Sequence, residues 1–146
     1  MNNCIFCKYS NEKNDRVLFD SQLFFCLLDI KPVSFGHSLV IPKRHVVNFL
    51  DLTAEESKEL LLVSQKLIEY IKKNKDLIYK ISMETAYSSS IQLIKDQYIQ
   101  IATGFNIGIN DGVSAGRTVH HLHCHIIPRY DNDIEDPSEG IRNILQ

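Results

Sequence analysis

The chain contains no tryptophan, only six glycines and four prolines in 146 residues, and no excess of either charge. That glycine and proline content excludes a collagen-like or low-complexity chain, and 44% apolar residues exclude a disordered tail protein. Lys plus Arg is 16 against 18 for Asp plus Glu, a formal net charge of −2. No broad basic field exists for wrapping nucleic acid, so no nucleic-acid partner is expected and any anionic ligand must be met by local chemistry. No run approaches the ~18 apolar residues that span a bilayer, and MNNCIFCKYSNEKNDR lacks the apolar segment of a signal peptide. The expectation is a cytoplasmic protein with no membrane partner. Its four cysteines then point to metal-binding, catalytic or buried thiols rather than a disulfide framework.

The length fits one domain over residues 1–146, large enough to bury about 70% of its unfolded surface. Residues 1–15 are polar apart from Cys4-Ile5-Phe6-Cys7. VLFDSQLFFCLLDI, residues 17–30, reads as two strands with a turn near Asp20-Ser21, and SLVI, 38–41, as a short buried strand. Thr53-Ala-Glu-Glu56 is a capping-box pattern. Leu60, Val63, Leu67, Ile68 and Ile71 follow it at helical spacing, which predicts an amphipathic helix from about Thr53 to Lys73. Residues 74–97 read either as more helix or, at Ser88-Ser89-Ser90, as an exposed loop or hairpin. Phe105, Ile107 and Ile109 alternate as in a half-buried strand, and Thr118 to Ile127 is the next strand, stopped by Pro128. The whole predicts an α+β fold: a mainly antiparallel β-sheet with one long amphipathic helix.

His121, His123 and His125 alternate with Leu122, Cys124 and Ile126. On a strand the three imidazoles line one face at intervals of roughly 6.5–7 Å, while the apolar residues turn to the core. Such a row forms either a metal cradle or a nucleophile with helpers. The preceding loop, NDGVSAGRT, offers glycines that turn backbone N–H groups toward an anion and an arginine beside them. Phosphate next to a row of histidines points to phosphoryl or nucleotidyl transfer.

HLHCHII, followed by Pro-Arg, resembles the H-φ-H-φ-H-φ-φ signature of the histidine triad (HIT) family of nucleotide hydrolases and transferases. CIFCKYS, FFCLLDIKPVSFGHSLVIPKRH and GFNIGINDGVSAGRTVHHLHCHIIPR resemble the family's blocks in the same order, covering most of the chain outside 74–97. The resemblance implies a single HIT-like domain. It implies that His123, the middle histidine, attacks an α-phosphorus to form a nucleotidyl-histidine that water opens, releasing a nucleoside monophosphate. His125 then contacts the transferring phosphate, His121 orients its neighbours, and His37 matches a fourth family histidine. Asn110 and Thr118 match positions that hold phosphate oxygens or assist the leaving group, and Asp29 the position that binds the ribose hydroxyls. Phe6, Leu27 and Ile5 fall where the family builds a slot for the base, although core packing accounts for them equally well. Arg117 stands where many members carry glutamine, and implies an extra positive charge near the phosphates. His120 is expected to face away.

Cys4-x-x-Cys7 is half of a zinc ribbon, and two histidines would complete a Cys2His2 set. The resemblance to bacterial-type members implies a structural zinc on Cys4, Cys7, His45 and His121, and no organic cofactor. Cys26 and Cys124 sit in apolar strands as ordinary buried thiols. The resemblance also implies a purine nucleotide substrate and a homodimer with the two sheets joined, the 53–73 helix being a candidate for part of the interface. HIIPRY and the DIEDPSEGIRNIL tail resemble the diadenosine polyphosphate hydrolase branch; adenosine phosphoramidase is the alternative with the same mechanism. A non-catalytic nucleotide-binding regulator would be expected to carry a damaged triad, and this one is intact. A mononuclear metalloenzyme built on His121, His123 and His125 is the third reading.

Overall fold

A computed structural model describes residues 3–145, with side chains through Arg142. Met1, Asn2 and Gln146 lie outside the described residues, as do the side chains at the end of the DIEDPSEGIRNIL segment. Five strands, β1 (Val17–Asp20), β2 (Phe24–Leu28), β3 (Ser38–Pro42), β4 (Gly104–Ile109) and β5 (Cys124–Arg129), form one sheet in the order β1-β2-β3-β5-β4. Every neighbouring pair is antiparallel.

FFCLL on β2 and SLVIP on β3 are buried at every residue because both faces of the central sheet are covered. Phe24, Cys26, Leu28, Val40, Cys124 and Ile126 face the main core, packed under α2 (Ala54–Lys73), where Leu60, Val63, Leu67 and Ile71 meet them. On the opposite face Phe25, Leu27, Leu39 and Ile41 form a smaller cluster with Phe6, which comes from α1 (Ile5–Asn11). The N-terminal segment, polar in sequence, is therefore a short helix whose apolar side roofs the sheet.

The long helix begins as its sequence predicts. Thr53 Oγ1 accepts from the Glu56 N–H (3.1 Å), and Glu56 Oε2 accepts from the Thr53 N–H (2.9 Å), completing the capping box. The same carboxylate receives Arg44 through Nε (2.8 Å) and Nη2 (2.9 Å). That bidentate pair, led by the Arg44 bonds, holds Glu56 down to a pKa of about 2.

One alternative is decided and one expectation corrected. Residues 74–97 take the helical reading rather than the hairpin: they form α3 (Lys75–Thr85), a 3-10 turn at Ser88–Ser90 with Ser88 and Ser89 exposed and Ser90 buried, and α4 (Ile91–Tyr98). The last strand starts at Cys124 rather than Thr118 and runs through Pro128 to Arg129. The Thr103 N–H donates to the Arg129 carbonyl, so the backbone of Pro128 faces the β3 side. The β3 ladder has already ended there, at Ser38 opposite Ile126, and proline deprives no partner of a donor. His121 and His123 consequently precede the strand, and only His125 lies within it.

Candidate functional site

A cavity of about 330 Å³ opens beside the start of β5. His123 and His125 stand on one wall with Asn110 and Thr118; Asp29 lies at its side; Ile5, Phe6, Leu27 and Leu39 close its apolar end. A larger depression of about 600 Å³ lies between α2 and β4, but it holds no histidine and only one carboxylate, Asp111. The chemistry is concentrated in the smaller cavity.

Backbone partners fix the protons of the imidazoles. His121 Nε2 lies 2.8 Å from the Pro42 carbonyl, which can only accept, so His121 donates from Nε2 and its Nδ1 is bare. His123 Nδ1 lies 2.9 Å from the His121 carbonyl, so it donates there, and in the neutral ring the lone pair is on Nε2. His37 Nδ1 accepts from the Val33 N–H (3.2 Å), so its proton is on Nε2. That nitrogen donates to His125 Nδ1 at 2.9 Å, which places the His125 proton on Nε2. The outcome is a bare nitrogen on His123 and an N–H on His125, with ring centroids 5.0 Å apart.

Burial sets the charge state. His125 is pulled down to a pKa of about 4, first by desolvation and then by His37 and His123, with Asp29 acting weakly the other way. His37 is also lowered by burial, although Asp29 Oδ2 lies 3.6 Å from its Nε2. Both rings are therefore neutral near neutral pH. Phe6 packs edge-on against His123 (5.2 Å) and His121 (5.7 Å), excluding water from that side.

His121 does not reach the cavity wall. Its bare Nδ1 faces Cys4 Sγ (3.3 Å) and Cys7 Sγ (3.6 Å), and Cys7 Sγ lies 3.2 Å from His45 Nδ1. The four ligand atoms all lie within 4.8 Å of one another. Tetrahedral zinc with ordinary Zn–S and Zn–N lengths separates its sulfur and nitrogen ligands by roughly 3.6 Å, so the donors fit a zinc ion in kind and in spacing. Asp29, His37 and His125 are also mutually close. They fail the same test, because the Val33 bond leaves a proton on the His37 nitrogen that would have to ligate.

Arg117 does not line the cavity, contrary to the phosphate-facing charge expected of it. Its Nη1 donates to the Val47 carbonyl (2.9 Å) and Asn48 Oδ1 (3.1 Å), with Asp111 Oδ1 3.8 Å away. It staples the 111–118 loop to the 47–51 segment. Gly112 (φ +110°) and Gly116 (φ +95°) supply the left-handed backbone that this loop requires. His120 is exposed, as expected. Burial raises Cys26 to a pKa of about 12 and Cys124 to about 11, in keeping with inert core thiols.

Tyr9, Arg16, Ile30, Leu39 and Val119 also line the cavity and were not anticipated. Ile5, Phe6 and Tyr9 recur at helical spacing, a signal hidden by the shortness of α1. Arg16 is buried, donates to the Leu28 carbonyl (2.8 Å) and lies over the Tyr9 ring; nothing in its surrounding sequence marks it.

Histidines arranged in this way, bound to each other and to the backbone beside a mixed polar and apolar cavity, define the histidine triad class of site. Residues 10–132 match the HIT domain model, and the chain belongs to that family. It is 32% identical over 145 residues to an adenylylsulfatase of Arabidopsis thaliana, an alignment covering 97% of this chain and 59% of that one. It is 32% identical over 124 residues to a bis(5'-adenosyl)-triphosphatase of Dictyostelium discoideum, covering 85% and 66%. The chain thus spans about three fifths to two thirds of those relatives' length. A zinc-bound histidine triad family protein from Mycobacterium smegmatis shares the fold with a TM-score of 0.65 at 29% identity, covering 90% of this chain and 78% of that one. Among the described residues no helix is long and apolar enough to cross a membrane.

Proposed function

We propose that the chain, acting as one domain, is a nucleotidyl-transferring hydrolase that cleaves a diadenosine polyphosphate or related nucleotide at the α-phosphate. The observation that carries this reading is the bare Nε2 of His123 beside the protonated Nε2 of His125, on the wall of a cavity whose other end is apolar. His123 Nε2 attacks the α-phosphorus; the P–N bond forms as the bond to the leaving polyphosphate oxygen breaks. The imidazole becomes cationic, and the His121 carbonyl, already accepting from Nδ1, stabilises it. His125 donates from Nε2 to a phosphate oxygen, and Asn110 and Thr118 hold the others or assist the leaving group. Water then breaks the P–N bond and releases a nucleoside monophosphate.

Asp29 receives the ribose hydroxyls: its Oδ1 is held by the Lys31 N–H (2.8 Å), which fixes the carboxylate at the cavity's side. Phe6, Leu27 and Ile5 flank the purine. Arg117 supports the loop rather than the phosphate. Cys4, Cys7, His45 and His121 would hold a zinc ion. The metal supplies a structural cross-link between α1 and the sheet, fixing the residue whose carbonyl orients His123. The apolar depression between α2 and β4, with Leu61 and Ile107 exposed beside the free edge of β4, supports a homodimer through that face.

The test is product analysis by chromatography, with diadenosine polyphosphates and adenosine phosphoramidate offered together and His123→Asn as control. Wild-type protein is expected to release AMP, with the diadenosine polyphosphate consumed first and the control silent. Faster loss of the phosphoramidate would reassign the substrate. Nucleotide binding without consumption of either would replace the enzyme by a nucleotide-binding regulator.

A further inference from the structure

His37 is the origin of the proton order that leaves an N–H on His125, and its own position depends on the loop that carries it. That loop, residues 29–37, is tied within itself by the Lys31 N–H to Asp29 Oδ1 bond and the Val33 N–H to His37 Nδ1 bond, and by two backbone bonds. The His37 N–H donates to the Ser34 carbonyl (3.1 Å) and the Asp29 N–H to the His37 carbonyl (3.0 Å). Gly36 sits at φ +87°, and a Cβ there would meet Ile71 and Pro128 side-chain atoms at 3.3 Å. The residue just before it, Phe35, is gripped from outside the loop at three points.

Gln97, on α4 and buried, accepts from the Phe35 N–H through Oε1 at 2.7 Å. The Tyr130 hydroxyl donates to the Phe35 carbonyl at 2.8 Å. The Phe35 ring meets Tyr79 of α3 and Tyr98 of α4 edge-on, at 6.3 and 5.8 Å, and those two rings stack at 4.0 Å. A further bond, from the Tyr87 N–H to the Ile30 carbonyl (2.9 Å), ties the α3–α4 connection to the other end of the loop. The segment 75–98 thus meets the His37 loop at both ends, and Gln97 is its buried polar contact with Phe35.

We propose that Gln97 is a positioning residue for the triad: by holding the Phe35 N–H, it fixes the loop register in which His37 accepts from Val33 and donates to His125. Without that acceptor the Phe35 N–H is a buried donor with no partner, and the loop relaxes to hydrate it. Val33 and His37 then separate, His37 loses the bond that keeps its proton on Nε2, and His125 is no longer restricted to one tautomer. The consequence for turnover rests on the role given to His125 above; the consequence for the imidazole protons does not.

The experiment uses full-length protein labelled at histidine nitrogen, with long-range proton–nitrogen correlation spectra at neutral pH and kcat measured on the same samples. Wild-type protein should show His37 and His125 each protonated at Nε2 only. Gln97→Met keeps the length and loses the acceptor; it should give mixed tautomers at both rings and lower kcat about tenfold. Gln97→Glu restores an acceptor for the Phe35 N–H and should restore the single-tautomer spectrum. Ile94→Val removes one methylene from the buried face of the same helix while leaving the Gln97 to Phe35 hydrogen bond in place, and should lower Tm while leaving spectrum and kcat as in wild type. The proposal is overturned if folded Gln97→Met keeps the wild-type tautomers. It is equally overturned if Gln97→Glu fails to restore them, or if Ile94→Val disturbs them as much as Gln97→Met does. Wild-type protein with ordered tautomers but no nucleotide turnover would defeat the functional reading and leave this one standing.

Discussion

Acidification should weaken the fold through His125, in a window that separates it from the carboxylates. In the unfolded chain His125 takes up its proton as pH falls through about 6.5; in the folded chain burial delays uptake until about 4. Between those values the unfolded state binds more protons, so stability is undiminished above 6.5 and declines as pH falls toward 4. At about 1.4 kcal/mol per pKa unit, the loss by pH 4.5 is about 2.5 kcal/mol for a fully shielded ring, or about 2 kcal/mol once its solvent-facing edge is allowed for. His37, lowered for the same reason, adds to the slope. Glu56 acts in a different interval: its stabilisation is complete above about 4.5 and is lost only toward 2. Urea denaturation across pH 6.5 to 4.5, on wild type and His125→Gln, isolates the effect, since any metal released by acid contributes to both curves. The variant's curve should be flatter by about 2 kcal/mol. Parallel curves would refute the assignment of a buried, neutral His125.

Purified protein should carry stoichiometric zinc by atomic emission, and Cys4→Ser should lose it together with protection of α1 from proteolysis; active metal-free protein would remove the metal from the account. In sedimentation the chain should run at twice 16.8 kDa, and Ile107→Lys on the exposed face of β4 should halve that mass. A monomeric wild type would show that the apolar face serves something other than a second copy.

Much of the site was legible because its residues carry local signals. The alternation of His121, His123 and His125 with apolar neighbours points to a row of imidazoles, and the Thr53–Glu56 capping box marks a helix start that the structure reproduces bond for bond. Period alone did not show how the row divides. His121 turns back to Cys4, Cys7 and His45, while His125 is reached through His37, because the chain enters β5 only at Cys124 and the two earlier histidines follow the bend before it. Arg117 was misleading for a related reason. Its place beside glycines suggested an anion loop, but its guanidinium is spent on the Val47 carbonyl and Asn48, and it is not among the residues lining the cavity. Residues 75–98 were hard to read because the Ser88–Ser90 turn looks like a surface loop, while the role of Gln97 depends on a contact 62 residues away.

The most direct test of the central claim is intact mass and peptide mapping of enzyme quenched after brief exposure to a limiting diadenosine polyphosphate. The account predicts a mass gain of one AMP moiety, located on the peptide containing His123, acid-labile as a phosphoramidate should be, and absent from His123→Asn. AMP release with no such adduct, or an adduct that persists in His123→Asn, would contradict it.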